Sequence, residues 1–191
     1  AWLHTYYEKE WLATCLQTQN GSNKFGKVIS EIKSLGYTIL PPDINASSDV
    51  WVYSEDREGF VPPLTAIKGV GGAAVAEIME RRPFSSLDEM MFTEDGKWRP
   101  SKMNKTCFNS LCLVEAFGSL DEFKNGKVLN HRQLHSVIID NYDLLKKGRH
   151  GMTKTAVRKL LKEQDEIPNF IDVKLAETEG MSDWNRAEKI G

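Results

Sequence analysis

The chain has 191 residues, 40% of them apolar, and its 25 Lys and Arg nearly balance 27 Asp and Glu for a net charge of −2. That length and apolar content allow one large or two small domains with an adequate core, and no apolar run reaches the roughly 18 residues of a membrane span. Three cysteines, Cys15, Cys107 and Cys112, make an odd, sparse set, which argues against a disulfide framework and for a reducing, cytoplasmic setting.

The opening run AWLHTYYEKEWLATCLQ places Trp2, Leu3, Tyr6, Tyr7, Trp11, Leu12, Cys15 and Leu16 at helical spacing, which predicts a helix over 2–18 packed through that stripe. The chain starts inside this pattern and ends in the helix-like DWNRAEKIG, so the expectation is a piece of a longer protein without a signal peptide. NGSN at 20–23 breaks the pattern, and Val28, Ile29, Ile32 and Leu35 predict a second helix ended by Gly36. YTILPPDIN reads as a short strand stopped by its two prolines, and VWVY at 50–53 as another, followed by a turn over SEDREGF. Ser86 and Glu89 have capping-box spacing at the start of a short helix. DGKWRP is a loop, and Met103, Cys107, Phe108, Leu111 and Val114 share one face of a helix over 101–114. Further helices are expected at 131–147 and 153–164, on either side of KKGRHGM. From Glu166 the tail is acidic and weakly periodic. The class is mostly α with a minor β element.

Charge is unevenly distributed. Residues 124–162 hold ten Lys and Arg against two acids, whereas 1–123 hold 12 against 17 and 163–191 hold 3 against 8. The bases Lys146, Lys147, Arg149, Lys154, Arg158 and Lys159 form a candidate patch for an anionic partner. A solvated helix face is the other reading.

The stretch LTAIKGVGGAAVAEIMERR at 64–82 carries the sharpest signal. Gly69, Gly71 and Ala74 fit G-x-G-x-x-A, a dinucleotide fingerprint that requires a buried parallel strand in front. Pro62 and Pro63 cannot sit in such a strand, and Glu89, at the distance of a ribose-binding acid, belongs to a capping box. The alternative is a hairpin of two helices. Lys68-Gly69-Val70-Gly71 makes the turn, Val70 plugs the core, and Gly72 starts a helix whose Val75, Ile78 and Met79 face inward. Amides at a helix start lack intrahelical partners and favour an anion, and glycine lets phosphate oxygens reach them. Lys68, Gly69, Val70, Gly71 and Gly72 are therefore candidate phosphate-binding residues, with Arg81 and Arg82 extending the track. Contacts of this kind position a duplex without reading its sequence. A purely structural hairpin, its glycines serving helix packing, is the competing reading.

The segments LGYTILPPDINASS, LTAIKGVGGAAVAEIMERR, PFSSLDEM and NKTCFNSLCLVEAFGSL, in that order, resemble the catalytic α subunit of bacterial or phage DNA polymerase III, a family C replicative polymerase. The opening AWLHTYYEKEWLATCLQTQ is similar to the family's helix at the end of the fingers. The likeness is strong over residues 1–123 and weak beyond. It implies a tandem helix-hairpin-helix bundle attached to fingers helices. Residues 1–60 would be distal fingers with a short β segment, 61–123 the tandem hairpins, 124–165 a basic helical extension, and 166–191 an acidic lead into a further domain. The implied partners are primer–template double-stranded DNA and a sliding clamp or clamp loader, in the bacterial cytoplasm and with no membrane. The implied role is support of template-directed DNA synthesis. The second hairpin would be Val114-Glu115-Ala116-Phe117-Gly118, where Glu115 replaces the family's glycine. A carboxylate repels phosphate, so this hairpin is expected to make no DNA contact, with Phe117 in the core. The parent polymerase would need magnesium, but no paired acids here match a two-metal centre, so the piece is expected to hold no cofactor and no catalytic residue.

Weaker candidates remain. Cys107, Cys112, His131 and His135 lack the spacing of a metal site and read as buried thiols and exposed imidazoles. Trp2, Tyr6, Tyr7 and Trp11 could stack bases, but their spacing fits a packed helix face. Gln164, Ile167 and Phe170 in QDEIPNF loosely resemble a clamp-binding peptide. An interaction scaffold with a structural hairpin is the alternative function.

Overall fold

Glu8 and Glu10 lie in the first turn of α1 (Glu8–Gln19), where carboxylates complement the helix dipole. This helix opens the computed structural model, which describes residues 7–128 and 130–185. α1 buries Leu12, Ala13 and Leu16. Of the expected stripe, Leu12 and Leu16 are buried, while Tyr7, at 48% exposure, and Trp11, at 36%, are more exposed. Trp2, Leu3 and Tyr6 lie outside the described residues. α2 (Phe25–Ser34) buries Ile32 and runs to Gly36, whose φ of +90° suits a residue without Cβ.

Three short strands follow: β1 (Thr38–Ile39), β2 (Val52–Ser54) and β3 (Gly59–Val61). The order is β1-β3-β2, with β3 parallel to β1 and antiparallel to β2. β3 occupies the span read from sequence as the end of a turn. It is central, and it stops immediately before Pro62, the first residue unable to donate to a ladder. A Cβ at Gly59 would come within 2.9 Å of the Thr38 carbonyl oxygen, so glycine permits this pairing. Tyr37, Tyr53 and Phe60 pack edge to face with centroids 5.0–5.7 Å apart.

A 3₁₀ turn (Leu64–Ala66) leads into α3 (Gly72–Arg81), and α4 (Leu87–Met91), α5 (Lys105–Leu113) and α6 (Asp121–Lys124) complete the hairpin bundle. Ser86 Oγ caps α4 by accepting from the Glu89 amide, while the Glu89 carboxylate accepts from Ser85 rather than closing the box on Ser86. The helix expected over 131–147 is two: α7 (His131–Ile139) and α8 (Tyr142–Leu145). Asn141 causes the break, its side-chain amide donating to the Val137 carbonyl at 3.0 Å. α9 (Lys154–Leu160) and α10 (Phe170–Glu177) follow. α10 lies within the segment expected as an acidic lead into another domain, yet Ile171 and Leu175 are buried with Leu134, Val137 and Phe108. The hairpins, the basic extension and the tail helix therefore share one core, while α1, α2 and the sheet build a smaller one around Leu16, Ile32 and Phe60.

Candidate nucleic-acid interface

The bend between the 3₁₀ turn and α3 is closed by two backbone hydrogen bonds, Ile67 N–H to Leu64 O and Val70 N–H to Ile67 O, both 3.1 Å. Val70 plugs the core at 6% exposure, as its apolar side chain predicts. Its neighbours Lys68, Gly69, Gly71, Gly72 and Ala73 are all exposed. Gly71 is the N-cap of α3 in extended conformation, no side chain caps the helix, and no acid stands in its first turn. The first amide of α3 to reach a carbonyl of the turn is that of Val75, which donates to Gly71 O at 3.0 Å. The Gly71, Gly72 and Ala73 amides, on exposed residues, thus have no backbone acceptor among the described residues and lie at the positive end of the helix dipole.

The three glycines are not equivalent. Gly69 has φ +94°, and a Cβ there would meet Ser110 Oγ at 2.6 Å and Thr106 Cγ2 at 3.1 Å. It is required by the turn and by close packing on α5. A Cβ at Gly71 or Gly72 would meet nothing within 4 Å. Packing does not demand glycine at either position, and the space before their amides is open. Sequence reasoning missed this contribution of α5: Thr106 and Ser110 buttress the bend, and Lys102 and Lys105 stand exposed beside them in sequence. The signal was available as bases next to the Asn104 N-cap, whose Oδ1 accepts from the Cys107 amide.

Arg81 and Arg82, expected to extend the phosphate track, are both engaged within the bundle. Nine residues along α3 from Gly72 amounts to roughly 14 Å. Arg81 pairs with Glu77 at 3.1 Å, donates to the Met90 carbonyl and covers the Phe84 ring. Burial alone would raise the Glu77 carboxyl. The Ser101 and Lys102 amides and Arg81 outweigh it and hold that group below its ordinary range. Arg82 donates to the Ser47 carbonyl at 2.6 Å. Both arginines hold the bundle together.

The basic patch divides in the same way. Arg149 grips Asp88 with two 2.8 Å hydrogen bonds and is half-buried, so it is a structural clasp. Lys154 pairs with Asp95 at 2.6 Å. Lys146 sits over the Tyr142 ring, 5.8 Å from its centroid, and Lys147, Arg158 and Lys159 are exposed. Phe170 packs against the core as the first residue of α10, so QDEIPNF is not a loose peptide. Cys107 and Cys112 are buried, which pushes both thiols up, Cys107 to about 11. His131, expected exposed, stacks on Phe123 with centroids 4.3 Å apart, and burial lowers it to about 4. Among the described residues no three His, Cys, Asp or Glu side chains gather as a metal site requires, and no helix is long and apolar enough to cross a membrane.

Residues 36–127 match the helix-hairpin-helix motif family. Over 143 residues the chain is 33% identical to DNA polymerase III subunit alpha of Chlamydia pneumoniae, covering 72% of this chain and 11% of that one. It is 39% identical over 128 residues to the Staphylococcus aureus protein of that name, covering 65% and 12%, and 31% identical over 121 residues to that of Vibrio cholerae, covering 62% and 10%. The chain carries a helix-hairpin-helix region similar to that of DNA polymerase III subunit alpha. It spans about a tenth of the length of these relatives. In this helix-hairpin-helix region the second hairpin is built differently from the first. α5 ends with Glu115 at φ +62°, the Ala116 amide donating to Leu111 O and the Glu115 amide to Cys112 O, the helix ending that glycine usually serves. Asp121 and Glu122 then occupy the first turn of α6, and the Asp121 amide donates to Ser85 O at 2.8 Å. Phe117 is fully buried.

Proposed function

We propose that the Lys68–Ala73 hairpin binds the sugar–phosphate backbone of double-stranded DNA without sequence preference, in support of template-directed synthesis by a polymerase III α subunit. The carrying observation is the uncapped start of α3, with open space where Cβ atoms at Gly71 and Gly72 would stand. A phosphate oxygen seated there accepts from two or three amides at once, and Lys68 adds a mobile charge. The interaction-scaffold reading, in which the protein meets a sliding clamp or its loader and the hairpin is structural, accounts for Gly69 but not for Gly71 and Gly72.

Gly71→Asp separates the two. The Gly71 backbone, φ −78° and ψ 158°, suits any residue, and Asp is a better N-cap than Gly. Stability should therefore hold or rise by about 0.5 kcal/mol. The new carboxylate occupies the anion seat, so affinity for a labelled duplex should fall at least about tenfold. Wild-type affinity should drop steeply with salt, since each neutralised phosphate releases counterions. A Gly71→Asp protein that melts and binds like wild type would return the hairpin to a structural role.

A further inference from the structure

Three stretches meet around a cleft of roughly 310 Å³: the turn 94–97, the turn 147–151 and α9, the last two outside the helix-hairpin-helix match. Its floor is rigid backbone. Gly148, at φ +137°, presses so closely on Gly96 that a Cβ at 148 would lie 2.8 Å from the Gly96 carbonyl oxygen. The Arg149 amide donates to that oxygen at 2.9 Å. The Arg149 guanidinium, besides gripping Asp88, donates to the carbonyls of Thr93 at 3.1 Å and Glu94 at 3.2 Å. It fixes the two turns together and is not available to a ligand.

The charge of the cleft is one-sided. Among the described residues that line it, Glu94 and Asp95 are the acids against five Lys and Arg. Asp95 is claimed twice, by Lys154 at 2.6 Å and Lys97 at 3.3 Å, so this cluster carries a surplus positive charge. Lys147 and Arg158 are exposed and, among the described residues, have no ion-pair partner. Apolar lining is confined to Met152 and Val157, too little to anchor a protein partner through buried area. A preorganised, open, positive cleft of this shape fits an extended polyanion.

We infer that this cleft is a second seat for the phosphate backbone of double-stranded DNA, with Lys147 and Arg158 as the groups that touch it. The inference rests on the duplex-binding reading of the hairpin and places a second anchor outside the matched region. The test compares salt titrations of labelled duplex binding by the full chain, by Gly71→Asp and by Lys147→Gln/Arg158→Gln. Both substituted side chains are exposed, so the double variant should melt as wild type does. Its slope of log affinity against log salt should be shallower by about 2, one for each phosphate left without its cation, with binding weakened about tenfold near ~0.1 M salt. An unchanged slope and affinity, while Gly71→Asp loses binding, would overturn the cleft and leave the hairpin standing. The reverse pattern would support the cleft and remove the hairpin. Absence of duplex binding by the wild type would overturn both. Tighter capture of a polyglutamate peptide than of duplex, abolished in the double variant, would overturn the inference in favour of an acidic protein segment.

Discussion

Gly69 and Gly72 lie three residues apart on the same bend, and a methyl group added to each has opposite consequences. At Gly69 the left-handed backbone costs an L-residue about 1–2 kcal/mol, and the new Cβ would also crowd Ser110 Oγ and Thr106 Cγ2. Gly69→Ala should lower the melting temperature by about 5 °C. Gly72 is helical with open space around it, so Gly72→Ala should raise stability by about 0.5–1 kcal/mol. The methyl group would then stand where a phosphate oxygen approaches, and duplex affinity should fall although the fold is firmer. Thermal melts and a binding titration check both, and a Gly69→Ala protein as stable as wild type would deny the tight packing on α5. The glycine run was legible in the sequence as a hairpin with Val70 as its plug. The division of labour among its glycines was not, because it is set by side chains on a helix more than thirty residues away. Arg81 and Arg82 show the same limit: a sequence displays a charge but not the Glu77 carboxylate or the Ser47 carbonyl that consumes it.

At the scale of elements, the segment 41–47 carries more order than its irregular backbone suggests. Asn45 Oδ1 accepts from the Phe84 amide at 2.7 Å, and its Nδ2 donates to the Phe84 carbonyl and to Ser119 Oγ. Ser119 Oγ donates in turn to the Asp43 carboxylate, and the Ile44 amide donates to the Ala116 carbonyl. This strap joins the end of the first hairpin to the turn of the second. Asn45→Ala would leave both Phe84 backbone groups without these partners and should cost about 2–3 kcal/mol. Urea denaturation measures it, and a loss below about 0.5 kcal/mol would show that water replaces the strap. Elements with regular apolar spacing, such as α5, were legible from sequence. The split of α7 from α8 was not, because Val137, Ile138, Tyr142 and Leu145 keep helical spacing straight across the Asn141 turn. β3 was hidden for a related reason, since three residues before two prolines carry too little pattern to outweigh the turn signal in front of them.

For the whole molecule, the large core depends on a histidine that must stay neutral. His131 begins α7 stacked on Phe123, and its buried Nε2 has no hydrogen-bond partner among the described residues. Burial lowers it to about 4, with the Asp183 carboxylate opposing the shift. His135, bonded to Asn109 at 2.7 Å and packed edge-on against Trp184, is lowered by burial as well. In the unfolded chain these imidazoles titrate near about 6.5. Between there and about 4 the unfolded state therefore holds a proton that folded His131 does not, so its stabilising contribution is complete above the upper value and lost as pH falls. Glu122 acts in the opposite direction, because burial raises its carboxyl and acid favours the folded form at that site. Partial solvent screening reduces the His131 effect, leaving about 1 kcal/mol between pH 7.5 and 5.0. His131→Phe keeps an aromatic ring over Phe123 and removes the titration. Urea denaturation at the two pH values should show wild type losing about 1 kcal/mol more than the variant on acidification. Equal losses would mean that the imidazole is protonated in the folded protein, and that the packing of α7 against residues 181–185 opens before the core does.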